Sequence, residues 1–207
     1  MSDDQIPAGE TVWQDGQTFT QSTTDVRVDV LRIAAGAVVH FKDGITYTLT
    51  CNKLVVDGAC FFDCRGNNGI NGSTPERRMP DAYVTLATPE QHADAHKVFA
   101  NVWPYRQDMV GYNASDATAG TPGATVTIFF KAYEGVQIDP DAQSDTRGGS
   151  GGRGARGGEG RVLHCTCGAT LEAVHGVQSI DMPDGKPGRV RLLPASQHPV
   201  QASTWVG

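Results

Sequence analysis

The sequence predicts an all-β fold: a parallel β-solenoid-like (β-helix) body with glycine-rich, polyproline-II-like tracts and one partly helical insertion. Three observations predict it: an excess of glycine, a three-residue spacing of many of those glycines, and short strand-like segments that recur along the chain. The chain has 207 residues, with 25 Gly and 11 Pro. Because a glycine inside a helix weakens it by about 1 kcal/mol, this composition disfavours a helical bundle.

Short segments rich in β-branched residues, separated by Gly, Pro, Asp or Asn, are typical of strands. They read VDVLRI, AVVHF, ITYTLT, KLVV, CFF, ATVTIFF, GVQI, RVLHC, ATLEAV and GRVRLL. The segment 31–41 resembles 54–63, since each has an apolar strand, a turn with Gly-Ala and a second strand. The 23-residue spacing from Leu31 to Leu54 is about one coil of a stacked β-solenoid.

Glycine recurs every third residue in two parts of the chain, RGNNGING at 65–72 and GGSGGRGARGGEG at 148–160. Three residues per turn is the period of the polyproline-II helix, which has no internal hydrogen bonds. Glycine at every third position gives such a helix one edge without side chains, so neighbouring backbones can approach and hydrogen-bond to one another. A flexible linker is the alternative interpretation, but a solvated linker does not require strict spacing.

An internal repeat includes the first glycine run and the beginning of the second. The segment 54–72 aligns with 136–154 at a constant offset of 82 residues, and the apolar Leu54 and Val56 fall on Val136 and Ile138. The first copy contributes Asp57, Asp63, Arg65, Gly66, Gly69 and Gly72, and the second contributes Asp139, Asp145, Arg147, Gly148, Gly151 and Gly154. We interpret these twelve residues as a structural repeat.

The pattern predicts four parts of the chain. The β-solenoid body with its glycine tracts covers 26–72 and 120–193, and 73–119 is an insertion. A helix is expected within that insertion after Thr88-Pro89, with Thr88 as the N-cap. Residues 1–25 and 194–207 are polar terminal arms that bury little surface on their own chain and dock neighbouring subunits, although frayed termini are an alternative.

The repeated aspartates are the strongest candidates for catalysis. Stacked coils hold equivalent positions ~4.8 Å apart, close to the ~5–5.5 Å between the carboxyl groups of a retaining glycosidase. Asp63 and Asp145, however, each precede an arginine by two residues at the start of a turn. A repeated turn cap with an Asp–Arg ion pair is the simpler interpretation, and no catalytic residue is predicted.

Three other segments contain metal-ligand chemistry: His92 and His96 four residues apart, DPDAQSD at 139–145, and HCTC at 164–167. The first lacks the glutamate of a zinc peptidase, the second lacks the glycine and final glutamate of an EF-hand, and the third has no matching Cys pair. An exposed helix face, an acidic turn and buried thiols explain them more simply. The sequence therefore predicts no metal and no cofactor.

The net charge and the hydropathy of the chain disfavour nucleic acid and membrane as partners. The net charge is −6, which disfavours nucleic-acid binding, and no apolar stretch approaches the ~20 residues of a membrane span. The start MSDDQIPAGE lacks the basic and apolar regions of a signal peptide, so reduced, buried cysteines are expected, with a disulfide between subunits of an extracellular particle as the alternative.

Short strands alternating with tracts such as GGSGGRGARGGEG resemble the glycine-rich β-solenoids and polyglycine-II adhesin tips of bacteriophage fibres, and glycine-rich bacterial surface proteins. The resemblance covers about 28–72 and 120–193, and it implies a non-enzymatic structural protein of a phage particle: a decoration, fibre or tail component. It also implies a virion location, other virion subunits as partners and a homo-oligomer; a bacterial cell surface is the alternative location.

Two other functions remain open. In a carbohydrate-binding adhesin, the insertion would contact a surface glycan through Trp103, Tyr105 and Tyr112. In a small polysaccharide lyase or hydrolase, the repeated aspartates would be catalytic.

Overall fold

The computed structural model describes residues 9–75, 81–84, 90, 110–166 and 170–198. The chain forms two compact units. The first comprises Met1–Asn68, Gly120–Ser150 and Asp184–Gly207, and the second comprises Gly69–Ala119 and Gly151–Pro183. The described part is mostly strands in parallel sheets with almost no helix, which confirms the all-β prediction at that level.

A five-stranded parallel sheet in the first unit has the strand order β1-β3-β5-β8-β12. Its strands are Glu10–Trp13 (β1), Thr23–Ile33 (β3), Thr46–Val56 (β5), Thr125–Gly135 (β8) and Arg189–Pro194 (β12). A 3-10 turn at Ala195–Gln197 follows β12.

A four-stranded parallel sheet in the same unit has the order β2-β4-β6-β9. Its strands are Thr18–Phe19 (β2), Val38–Phe41 (β4), Phe61–Asp63 (β6) and Ser144–Asp145 (β9). Each follows a strand of the larger sheet after a short connection. Gly36 sits in one such connection with φ +76°, a left-handed conformation that glycine adopts without strain.

The register agrees with the 23-residue spacing of the sequence. Leu31 lies opposite Leu54 in the larger sheet, and Val38 lies opposite Phe61 in the smaller one. Successive strand–turn–strand segments therefore lie side by side in both sheets, with equivalent side chains in neighbouring positions.

One apolar cluster joins the inner faces of the two sheets. Leu31, Leu54 and Ile128 of the larger sheet and Phe62 of the smaller sheet are fully buried within it. Aromatic rings extend the cluster, with Phe41 stacked on Phe19 at 5.3 Å between ring centroids. This continuous burial of apolar surface is the main source of stability in the unit.

The N-terminal prediction is wrong for residues 10–19. These residues form β1 and β2, and Trp13 is only 3% exposed in the core. The indole packs on Phe19 and Phe41 at 5.2 and 5.8 Å. Apolar residues isolated in a polar sequence predicted a docking arm. Trp13 and Phe19 instead belong to the core, because a buried tryptophan removes a large apolar area from water.

The second unit contains a three-stranded sheet with the order β11-β10-β7. Its strands are Ala82–Val84 (β7), Val162–Cys165 (β10) and Thr170–Glu172 (β11), with β10 parallel to β7 and antiparallel to β11. The helix expected after Thr88 lies outside the described residues, apart from Glu90.

The strand predictions need two corrections. ITYTLT and KLVV belong to the single strand β5, and GVQI is not a strand because β8 ends at Gly135. The 82-residue alignment also fails for its apolar part, since Leu54 lies opposite Tyr133 and not Val136. Asp63 does lie opposite Asp145, so the chain between β8 and β9 is three residues longer than between β5 and β6.

Candidate functional site

Asp63 and Asp145 end two neighbouring strands of the smaller sheet and lie directly opposite each other. Arg65 donates to Asp63 through Nε and Nη2, both at 2.8 Å. Arg147 binds Asp145 in the same way, at 3.0 and 2.7 Å. Each aspartate also accepts from the backbone N–H of its arginine, at 3.4 and 3.2 Å. The repeated Asp-x-Arg is therefore a repeated turn with a bidentate ion pair.

The arginines determine the ionisation of these carboxyl groups. The side-chain hydrogen bonds from Arg65 hold the pKa of Asp63 below its ordinary value, against the opposing effect of burial. Those from Arg147 lower the pKa of Asp145 in the same way. Both groups are therefore carboxylates at neutral pH, whereas a general acid requires a raised pKa.

His40 contacts Asp63 at this site. Its Nδ1 lies 3.1 Å from Asp63 Oδ2, because His40 on β4 is opposite Asp63 on β6. His40, Asp63, Arg65 and Arg147 line a polar cleft of about 570 Å³ in the first unit, together with Asn67, Asn68 and Ser150. The sequence did not predict the part played by His40, although the 23-residue spacing from His40 to Asp63 carried the signal.

The other two repeated aspartates lie in different surroundings. Asp57 binds Arg32 Nη1 at 2.7 Å, and Arg32 also binds Glu10 across neighbouring strands. Asp139 instead accepts the backbone N–H of Asp141 at 3.1 Å within a turn. Asp57 and Asp139 therefore do not share a structural role, and they do not form an acid–base pair with each other.

The glycines of the repeat lie where extended backbones touch. A Cβ built on any of the six would collide with a carbonyl oxygen of a neighbouring segment. In the first unit these pairs are Gly66 with Thr121 and Gly148 with Gly185; in the second they are Gly69 with Thr118, Gly72 with Ser115, Gly151 with Met182 and Gly154 with Ser179. Only glycine permits this separation, because any side chain would force the backbones apart.

A chain of backbone hydrogen bonds crosses four extended segments in the first unit. Gly185 N donates to Gly149 O at 2.8 Å, Gly149 N to Thr121 O at 2.9 Å, and Thr121 N to Asn67 O at 2.9 Å. The backbone groups thereby satisfy one another without forming a sheet ladder.

The second unit repeats this pattern three residues along each segment. Met182 N donates to Gly152 O, Gly152 N to Thr118 O, and Thr118 N to Ile70 O, each at 2.9 Å. A hydrogen bond at every third residue matches the predicted three-residue period of the glycines.

Short polar side chains accept the backbone N–H groups at the outer edges of these segments. In the first unit Asn68 Oδ1 accepts from Ser150 N at 2.9 Å. In the second unit Asn71 Oδ1 accepts from Arg153 N at 2.8 Å, again across 82 residues. Sequence reasoning missed these asparagines, although the 82-residue offset places each of them opposite the residue that it contacts.

The structure describes only some of the remaining candidates. Tyr112 is 52% exposed, whereas Trp103, Tyr105, His92 and His96 lie outside the described residues. In the HCTC segment, His164 Nε2 lies 3.1 Å from Asp81 Oδ2, and its ring stacks on Tyr83 at 5.0 Å. Cys167 is also outside the described part.

Cys51, Cys60 and Cys64 are buried free thiols. Burial raises the pKa of Cys51 to about 11 and that of Cys64 to about 12. Within the described ranges, no group of three or more His, Cys, Asp and Glu side chains is arranged to hold a metal ion. None of the described helical segments is long and apolar enough to cross a membrane.

The chain matches no protein-family model, no curated protein and no solved structure.

Proposed function

We propose that the chain is a non-enzymatic structural protein of a bacteriophage particle, a decoration, fibre or tail component with a β-solenoid body. The observation that carries the proposal is the direct packing of glycine-edged backbones, seen in the hydrogen bonds from Gly149 to Thr121 and from Gly152 to Thr118. This packing resembles polyglycine-II, which gives rigid, extended architecture from backbone contacts.

The paired sheets support the solenoid part of the proposal. The strand–turn–strand segments 31–41 and 54–63 occupy neighbouring positions in both sheets, at an offset of 23 residues. We interpret each segment as one coil, with the apolar cluster between the sheets as the interior.

The ion pairs support a non-enzymatic role. Asp63 and Asp145 are 12% and 19% exposed and bind arginines of the same turns. Their lowered pKa values suit a fixed structural pair better than the acid of a glycoside hydrolase.

The edges of the two sheets support assembly with other subunits. Among the described residues, β1 and β12 end the larger sheet, and β2 and β9 end the smaller one. Exposed strand edges pair readily with other chains unless they are covered. We propose that copies of this chain or other virion subunits cover them, with the terminal segments 1–8 and 199–207 as docking arms.

Light scattering on the full chain after size-exclusion chromatography tests the assembly. We expect a defined oligomer that is lost when residues 1–8 and 199–207 are deleted. Deletion of 1–25 is unsuitable, because it removes β1, β2 and the core residue Trp13. A full chain that stays monomeric at high micromolar concentration would contradict the proposal.

Mass spectrometry of purified phage particles tests the location. Peptides of this chain, at a fixed ratio to the major capsid or tail protein, are the expected result. If particles of a phage that encodes this chain contained none of it, a virion role would be excluded.

A carbohydrate-binding adhesin is the second candidate, favoured by the exposed ring of Tyr112. Glycan-array binding that falls at least tenfold in Tyr112→Ala and Trp103→Ala would support it. Unchanged glycan binding in both variants would exclude the insertion as the glycan-binding surface.

A further inference from the structure

The polar cleft of the first unit exposes positive groups and covers negative ones. The Arg65 and Arg147 side chains are 58% and 80% exposed, whereas their partners Asp63 and Asp145 are 12% and 19% exposed. Arg65 Nε also lies 4.0 Å from Asp145 Oδ2, so the two ion pairs adjoin each other. A ligand entering the cleft therefore meets guanidinium groups first.

Each guanidinium has unused donor capacity. Arg65 and Arg147 bind their aspartates through Nε and Nη2, and Nη1 of each has no acceptor among the described residues. The aspartates hold both guanidinium groups in place. Two arginines fixed in this way, one strand apart, present N–H donors suited to a carboxylate or sulfate oxygen.

Two neutral donors lie beside the arginines in the cleft lining. Asn68 uses Oδ1 to accept the N–H of Ser150, and its amide nitrogen has no acceptor in the described part of the chain. The Ser150 hydroxyl likewise binds no described residue. These groups can hydrogen-bond sugar hydroxyls beside a charged group.

We propose that this cleft binds an acidic sugar, with its carboxylate or sulfate on Arg65 and Arg147 and its hydroxyls on Asn68 and Ser150. The cleft volume of about 570 Å³ is within the ~300–1,000 Å³ of small-molecule sites. The proposal goes beyond the structural role and does not rest on it, since a monomer or an oligomer can present the same cleft.

Isothermal titration calorimetry on the full chain tests the ligand class with four probes: glucuronate, glucose 6-sulfate, inorganic sulfate and glucose. Because the arginines are exposed, we expect weak binding, with Kd on the order of 1 mM for the acidic sugars. Their affinity should exceed that of glucose at least tenfold and fall as salt is raised. Preference between glucuronate and glucose 6-sulfate identifies the anionic group.

Arg147→Gln tests the position. It removes one cleft guanidinium and is expected to weaken acidic-sugar binding at least tenfold. Arg153→Gln is the matched control, because it makes the same charge change outside the residues that line the cleft; its affinity should stay within twofold of the parent. Circular dichroism and thermal melting establish that both variants are folded. Should Arg147→Gln unfold, Arg147→Lys keeps the charge but loses the two-nitrogen geometry, and a severalfold loss is expected.

Three results would overturn the proposal. Glucose binding as tightly as glucuronate would exclude an anion site, and inorganic sulfate binding as tightly as both acidic sugars would exclude a sugar site. An equal loss of acidic-sugar affinity in Arg153→Gln and Arg147→Gln would show a general charge effect and no specific binding in the cleft.

Discussion

Thr121 and Asn67 bind each other through three hydrogen bonds, one of them from Thr121 Oγ1 to Asn67 O at 3.3 Å. Thr121 N donates to Asn67 O at 2.9 Å, and Thr121 Oγ1 accepts from Asn67 N at 2.7 Å. Thr118 and Ile70 make the same pair of contacts in the second unit, at 2.9 and 2.7 Å. In each pair the threonine hydroxyl accepts a backbone N–H that would otherwise need a carbonyl oxygen from a further segment.

Thr121→Val should lower the free energy of unfolding by about 1 kcal/mol, because it removes that acceptor while keeping the side-chain shape. Urea denaturation followed by circular dichroism measures the change. Thr127→Val on β8 is the control, since no hydrogen bond involves the Thr127 side chain within the described part. Equal losses in the two variants would argue against the contact.

Gly149→Ala should destabilise the first unit by more than about 3 kcal/mol or prevent folding. The new Cβ would collide with the carbonyl oxygen of Asn67, and backbone on both sides cannot move apart without breaking hydrogen bonds. Gly9→Ala is the matched control, because nothing lies within 4 Å of a Cβ built there. Thermal melting of both variants measures the difference; a folded Gly149→Ala with an unchanged melting temperature would refute close backbone packing.

Trp13→Ala should cost about 3–5 kcal/mol, as expected for a large aromatic residue removed from a core. Trp13 is 3% exposed, whereas its neighbour Val12 is 37% exposed. Val12→Ala should therefore cost far less. Denaturant titration distinguishes the two, and similar small losses would indicate that β1 is a detachable arm.

Acid should destabilise the protein partly through Asp63 and Asp145. Their pKa values are lower in the folded chain than the ~3.9 of a free aspartate, because Arg65 and Arg147 bind the charged forms. This contribution is fully present above the unfolded pKa and is lost as the pH falls through the lowered folded pKa.

Asp63→Asn should therefore be less stable at pH 7 and should lose less stability below about pH 4 than the parent. Unfolding free energies measured from pH 7 to pH 2 provide the test. Asp43→Asn, whose carboxyl group binds no described side chain, should leave the acid profile unchanged. An unaltered profile in Asp63→Asn would exclude the ion pair as a source of acid sensitivity.

Cys51 and Cys64 should resist alkylation by iodoacetamide in the native protein at pH 8. Both are fully buried, and burial raises their pKa values to about 11 and about 12, so little thiolate is available. Peptide mass spectrometry after a timed reaction gives the extent of labelling at each cysteine. The same residues should react rapidly in urea; fast native labelling would place them at the surface.

Local regularity in the sequence predicted much of the fold. The 23-residue spacing brings Leu31 opposite Leu54, because strand–turn–strand segments of equal length keep equivalent residues in register. Glycine at every third position predicted close backbones, since only an edge without side chains permits them. The tertiary contacts could not be predicted in this way. The contact of Asn68 with Ser150 spans 82 residues, and no local preference selects it.

The sequence by itself determined the element type, the 23-residue spacing of equivalent strands and the positions where a side chain is forbidden, because these depend on periodicity and backbone sterics. The tertiary structure alone decided which segments are neighbours: β8 beside β5, Gly149 beside Asn67, and Trp13 inside the core. It also decided that Asp63 and Asp145 hold arginines at one cleft. Those outcomes depend on burial and hydrogen bonding summed over distant segments, which no single stretch of the chain encodes.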